Sequence, residues 1–263
     1  MHPILFRFPF GDLALHGYGL MMALAFLAGI FWVKREALRK GQDPAKALDL
    51  VFYAIIAGVL GSRLLHLAIA DRDRFFSNPL ILFKVWEGGL VFYGGLIGAM
   101  IVSFWFFRRH RLPALVYCDI FIPAVSFGHA LGRLGCFMSG CCYGRPTTGS
   151  PWYAVIFPNN PDSFAPPGIP LYPTQLMESG AEFVTFCILL LIRRKQRFDG
   201  QLLASYLMIY AVVRGFVEYF RGDVVRGFVI DPWLSTSQGI SVIMFFVGIA
   251  FYMKGSRCAA HSS

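Results

Sequence analysis

The chain has 263 residues, 56% of them hydrophobic and 15% charged, with a mean hydropathy of +0.57 and a formal net charge of +9. A soluble domain carries about 25% charged residues, so the composition argues against an ordinary water-soluble globule. The positive balance does not point to nucleic acid either, because the basic residues sit in short clusters between apolar runs, where lipid topology puts them.

In chain order, the opening MHPILFRFPFGDLALHGYG is broken by Pro3, Pro9 and Gly11 and lacks a basic region followed by a small-residue cleavage site. No cleavable signal peptide is expected, and the first span acts as its own insertion signal. A span needs about 20 mostly apolar residues. Seven stretches qualify: 15–33, 47–69, 90–107, 114–135, 174–192, 201–220 and 236–253. Lys34, Arg35, Arg39, Lys40 and Lys46 follow the first. Arg108, Arg109 and Arg111 follow the third, and Arg193, Arg194, Lys195 and Arg197 follow the fifth. Lys254 and Arg257 follow the last. Seven spans put all of these on one side, and the positive-inside rule makes that side cytoplasmic. The expected fold is therefore an all-α membrane protein, one embedded domain over 1–263, with seven transmembrane helices, the N-terminus outside and the C-terminus in the cytoplasm.

On the outer side, residues 70–89 hold DRDRFFSNP and then LILFKVWEGG, too short to span and suited to the interface or to re-entry. Residues 136–173 form the longest non-spanning stretch. Pro146, Pro151, Pro158, Pro161, Pro166, Pro167, Pro170 and Pro173 exclude a continuous helix there. A loop this long in a compact protein is usually functional.

Several charges fall within spans. Arg63 lies near the outer end of the second, with His66 on the same face. Arg133 closes the fourth. Arg214 and Glu218 stand at i and i+4 in the sixth, followed by Arg221. A charge at the bilayer centre costs about 2.5–3.5 kcal/mol on insertion scales and calls for a partner or a wet cavity. Span-end arginines can instead snorkel to the interface, the preferred expectation for Arg221. Arg214 sits deeper and is placed to pair with Glu218, either as a purely structural ion pair or as part of a site. Arginines gathered near one leaflet suggest an anionic ligand such as a lipid phosphate, which a guanidinium matches as a fork.

Glycine is dense at 16–19, 88–98 and 132–146. Gly94 with Gly98, and Gly128 with Gly132, fit close helix packing. The third segment interleaves Gly132, Gly135, Gly140 and Gly144 with Arg133, Arg145 and three cysteines. It is expected to be broken backbone lining a cavity, with amides free to meet an anion. Cys118 and Cys187 lie in apolar runs and read as small buried hydrophobes. For Cys136, Cys141 and Cys142 three readings stay open: a disulfide or packing, a transient nucleophile, or a metal site. The C-x4-CC spacing without a nearby histidine pair is a weak zinc signal, and disulfide or packing is preferred.

GRLGCFMSGCCYGRPT resembles the signature segment of bacterial phosphatidylglycerol–prolipoprotein diacylglyceryl transferases. HGYGLMMALAFLAG, GSRLLH, GGLVFYGGLIG, YPTQLMES and VRGFVEYFR agree with that family in order and spacing, so the resemblance covers nearly the whole chain. It implies a multi-pass enzyme of the bacterial inner membrane with its site towards the periplasm, residues 137–173 forming a periplasmic loop. It implies transfer of diacylglyceryl from phosphatidylglycerol to the lipobox cysteine of a preprolipoprotein, releasing glycerol 1-phosphate, the first step of lipoprotein maturation. The implied partners are phosphatidylglycerol, lipobox peptides and the bilayer, with no nucleic acid, no cofactor, no metal and a monomeric state.

By the same resemblance Arg133 and Arg214 match the arginines that hold the lipid headgroup, Tyr18 a first-span tyrosine important for activity, Gly144 the late signature glycine, and Glu218 the acid one turn after the second arginine. The chain departs from the family pattern at Cys136, usually Asn, at Cys141, often Glu, and at Tyr93, commonly a His proposed as base. A tyrosine hydroxyl is a poor base at neutral pH, so His66, where an aromatic is frequent, is expected to stand in for it. The expected catalytic residues are Tyr18, His66, Tyr93, Arg214 and Glu218. The expected substrate-binding residues are Arg63, Arg133, Cys136, Gly144, Gln175 and Arg214. Two alternatives remain: a paralogue that binds phospholipid but uses another acceptor or has lost catalysis, and a lipid or anion transporter. The latter lacks the halved pattern of interrupted spans that inverted repeats would give.

Overall fold

A computed structural model describes residues 3–7, 14–85, 88–222, 228–230 and 234–261. Pro9 and Gly11, and Trp86 and Glu87 of the short outer stretch, lie outside the described residues. Among the described residues, eight α-helices account for most of the chain: α1 Gly17–Arg39, α2 Pro44–Ala70, α3 Arg72–Ser77, α4 Phe92–His110, α5 Ala114–Ser139, α6 Thr174–Arg194, α7 Gln201–Glu218 and α8 Thr236–His261. The only strands among the described residues are three short antiparallel pairs: β1 Ile4–Arg7 with β2 Ala14–His16, β3 Val155–Ile156 with β4 Pro170–Leu171, and β5 Phe228–Ile230 with β6 Leu234–Ser235.

Every expected span coincides with a helix of 18 residues or more. Among the described residues five helices, α1, α2, α5, α6 and α8, are by length and composition long and apolar enough to cross a membrane. α4 and α7 are shorter and more polar. α4 ends on Arg108, Arg109 and His110, and α7 carries Gln201, Ser205, Arg214 and Glu218. The polarity of the fold is inverted relative to a soluble protein. Leu27, Phe31, Ile101, Phe104, Leu191 and Phe246 are exposed, whereas Arg63, Asp119, Glu178, Glu182, Arg214 and Glu218 are buried. Helices that are apolar all round and keep their charges inside suit a lipid solvent.

Local chemistry sets the helix ends. Asp43 caps α2 by accepting from Ala45 N–H at 2.8 Å, with Pro44 in the first turn. α4 stops where Arg111 turns left-handed (φ 53°), two residues before Pro113. The stretch after α2 forms α3 and a 3-10 turn at Pro79–Phe83 rather than a span.

The chain divides into two compact units, Val33–Tyr117 and the combination of Met1–Trp32 with Cys118–Ser263. In the first, α2 packs on α4 through glycine. A Cβ at Gly61 or Gly94 would run into the other helix's backbone carbonyl, and one at Gly98 into that of Ala57. This is the small-residue packing expected at Gly94 and Gly98. In the second, α7 packs on α8 and α6, around a core of Ile122, Leu189, Leu202 and Tyr206. Gly128 and Gly132 do not behave like the α2–α4 glycines. A Cβ there would make only ordinary contacts, at 3.8 Å, with Ala25 and Met22.

Candidate active site

The larger unit carries a buried chain of charges. Arg133 of α5 donates from Nη2 to Glu178 Oε1 of α6 at 2.9 Å. Arg214 of α7 lies 3.5 Å from the other Glu178 oxygen. Arg214 Nη2 also meets Glu218 Oε2 at 2.6 Å and donates to Ser237 Oγ of α8 at 3.1 Å. Arg221 approaches the same Glu218 oxygen at 4.0 Å. Three elements thus meet at Glu178, and a fourth joins through Ser237.

His129, one turn before Arg133, stands between acids. Its Nε2 is 3.6 Å from Glu178 and its Nδ1 3.6 Å from Glu182. Arg133 Nε points to His129 Nε2 at 3.3 Å. Ser126 donates to both the carbonyl and the carboxylate of Glu182, at 2.9 and 3.0 Å. Arg133 therefore has Nε and Nη2 engaged among the described residues. Its side chain keeps 15% exposure. An arginine held in place by a carboxylate on one side can present its remaining N–H groups without reorganisation.

The expected pairing of Arg214 with Glu218 is present, but Arg221 differs from expectation. Its side chain is 13% exposed and reaches back towards Glu218, because an acid one turn earlier is a nearer partner than the interface. The glycine-rich segment is also different. It is helical through Ser139, so Gly132 and Gly135 are helix residues, and left-handed backbone begins only at Gly140 (φ 74°). Gly135 instead admits α1: a Cβ there would sit 3.0 Å from the Tyr18 ring and 3.3 Å from Met21. Tyr18, 43% exposed, is thereby placed beside the α5 turn that bears Cys136.

Beyond α5 the chain is clamped from two sides. Gly144 N–H donates to Tyr172 O, and Arg145 N–H to Phe220 O at 2.8 Å. A Cβ on Gly144 would strike the backbone of Tyr172 and stand 3.0 Å from the Phe220 carbonyl, so close approach explains this glycine. The Arg145 guanidinium lies over the Tyr219 ring at 4.6 Å. Gln175 braces the same region, its Nε2 donating to Cys141 O at 2.9 Å, while its buried Oε1 has no partner among the described residues. Cys136, Cys141 and Cys142 are free thiols. The neighbouring thiols and the Arg133 and Arg221 cations favour the charged form of Cys142 and lower it from the ordinary thiol range, while the same neighbours push Cys141 up. Cys187, expected to be buried, is exposed on α6.

In the smaller unit Arg63 is buried, at 2% exposure, rather than snorkelling. Its Nη1 donates to Gly88 O, and a Cβ on Gly89 would meet the His66 ring. Gly88 and Gly89 are both left-handed (φ 81° and 68°), so the turn needs glycine twice over. His66 Nε2 lies 3.7 Å from Asp71. Tyr93 is exposed at the start of α4, edge-on to Phe92.

Sequence reasoning missed Glu178, Glu182, His129, Ser126 and Ser237. The signal was present: two acids at i and i+4 in an apolar helix, and a histidine one turn from Arg133.

A family model described as prolipoprotein diacylglyceryl transferase matches residues 3–254. The chain is 38% identical over 249 residues to a protein of Clostridium tetani (strain Massachusetts / E88) named phosphatidylglycerol–prolipoprotein diacylglyceryl transferase, covering 95% of this chain and 96% of that one. A protein of the same name from Legionella pneumophila (strain Corby) is 38% identical over 248 residues, covering 92% and 93%. One from Geobacter sulfurreducens is 37% identical over 261 residues, covering 97% and 95%. With matches of this extent, running through α1 to α8, the chain belongs to the prolipoprotein diacylglyceryl transferase family.

Proposed function

We propose that this chain moves the diacylglyceryl group of phosphatidylglycerol onto the lipobox cysteine thiol of a prolipoprotein, releasing glycerol 1-phosphate. The observation that carries the reading is the buried Arg133–Glu178–Arg214–Glu218 chain, in which the Arg133 side chain keeps 15% exposure. In the reaction the acceptor sulfur forms a bond to a glycerol carbon, the C–O bond to phosphate breaks, and the phosphate oxygen keeps the electron pair. Arg133 and Arg214 stabilise the charge gathering on that oxygen, and fixed donors in a low-dielectric site do this most effectively. Glu178 acts as a positioning residue that fixes both guanidiniums before the lipid arrives.

The thiolate is the nucleophile, and a free cysteine has pKa about 8.5, so a base speeds the step. His66, with Asp71 at its Nε2, is our candidate in place of Tyr93. Gly144 and Gln175 set the backbone around the site, and Tyr18 and Cys136 border it. We assign seven spans, α1, α2 and α4 to α8, with the N-terminus in the periplasm, the C-terminus in the cytoplasm, and the chain monomeric in the bacterial inner membrane. The coincidence of seven long helices with seven apolar runs, and the sidedness of the basic clusters, support this arrangement.

The test is incubation of the purified chain with phosphatidylglycerol and a lipobox peptide. Lipidated peptide and glycerol phosphate are expected in equal amounts. Neither product, from protein that still binds phosphatidylglycerol, would point instead to a phospholipid-binding paralogue.

A further inference from the structure

We propose that Cys136, Cys141 and Cys142 form a trithiolate site for a thiophilic divalent cation of the zinc class, with its fourth coordination position open. The sequence spacing is a weak sign, and the fold supplies what the spacing lacks. All three Sγ atoms lie within 4.8 Å of one another. Tetrahedral zinc with Zn–S of about 2.3 Å sets sulfurs about 3.8 Å apart, so the trio needs to close by about 1 Å at most.

The turn that gathers the thiols is built in advance. Cys136 projects from the last turn of α5, and Cys141 N–H donates to Cys136 O at 3.1 Å. Left-handed backbone at Gly140 (φ 74°) and Cys142 (φ 58°) folds the next two thiols back towards it. Gln175 holds the Cys141 carbonyl and Thr174 Oγ1 the Cys142 carbonyl, each at 2.9 Å. Three thiolates around a dication carry one net negative charge, and Arg133 stands one helical turn before Cys136 on α5. The three thiols are half-buried, sheltered yet reachable by an ion. A disulfide needs only two sulfurs at about 2.05 Å and would strand the third, whereas a metal uses all three.

The experiment takes the full-length protein in detergent, reduced, and titrates it with cobalt(II) and then zinc(II) against a chromogenic chelator. One equivalent per chain is expected, with thiolate-to-cobalt charge-transfer absorption that zinc abolishes. Cys136→Ser and Cys142→Ser should each weaken zinc by at least the roughly 10–100-fold that loss of a mere supporting residue costs, while Cys187→Ser and Cys258→Ser should leave it unchanged. If Cys136→Ser does not fold, Cys141→Ser and the wild-type spectrum decide. Two results would overturn the site: no charge-transfer band in the reduced protein, or protein isolated without reductant that is metal-free and two hydrogens lighter through a bond within the trio. Both readouts are binding measurements, so they stand whether or not the transferase reaction is observed.

Discussion

Asp119 and Glu178 are both carboxylates buried in the larger unit, and their partners differ in kind. Asp119 accepts from Gly200 N–H at 2.7 Å, Leu203 N–H at 3.1 Å and Gln196 Nε2 at 2.6 Å. It ties the start of α5 to the turn between α6 and α7 and satisfies amides that the first turn of α7 would leave orphaned. Among the described residues the Glu178 carboxylate accepts from no backbone group. Its oxygens face Arg133, Arg214 and His129. An acid spent on amides fixes a fold, and an acid spent on cations fixes the position of groups that can still bind something else. This distinction separates architecture from machinery here.

Breaking the Glu178 end should show first in chemistry. Arg214→Ala and Arg133→Ala are each expected to lower turnover of phosphatidylglycerol with a lipobox peptide by about 10²–10³-fold, the usual cost of losing one fixed donor to a developing oxyanion. His66→Gln should lower it by about 10²-fold if the imidazole takes the thiol proton. Near-normal turnover in that variant would remove His66 from the reaction. Glu178→Gln keeps the shape but leaves two guanidiniums without their shared charge. It is expected to cost about tenfold or more in kcat/KM, and about 3–5 kcal/mol of stability if the arginines cannot find water. Thermal unfolding alongside initial rates would separate these two losses.

Breaking the Asp119 end should do the reverse. Asp119→Asn is expected to destabilise by about 1–3 kcal/mol through unmatched buried amides, seen as a lower Tm, with kcat/KM per folded molecule unchanged. Gly144→Ala stands between the two regions. The added Cβ meets backbone at Tyr172 and Phe220, and overpacking of this kind costs about 1–3 kcal/mol. A drop in both Tm and turnover would show that the clamp after α5 serves the site as well as the fold.

Much of this was readable in the chain. The seven long helices follow from apolar runs, since hydropathy depends only on local composition. Arg214 and Glu218 were legible as a pair because four residues of helix bring them together. Glu178 was not, because its bond to Arg133 joins residues 45 apart in sequence, and no spacing rule reports such a contact. Gly132 and Gly135 misled for the opposite reason. Glycine marks either a broken backbone or a close approach, and only packing reveals that Gly135 makes room for Tyr18 and Met21. Gly144 likewise needed the neighbouring carbonyls to explain it.

The central claim is that Arg133 and Arg214, held by Glu178, grip the phosphate of phosphatidylglycerol. The most direct measurement is binding of phosphatidylglycerol to the full chain in phosphatidylcholine nanodiscs, comparing wild type with Arg133→Ala, Arg214→Ala and Asp119→Asn. The account predicts weakening by about tenfold or more in both arginine variants, the scale of one lost charge-assisted hydrogen bond, and none in Asp119→Asn. Equal affinity in all four proteins would contradict it.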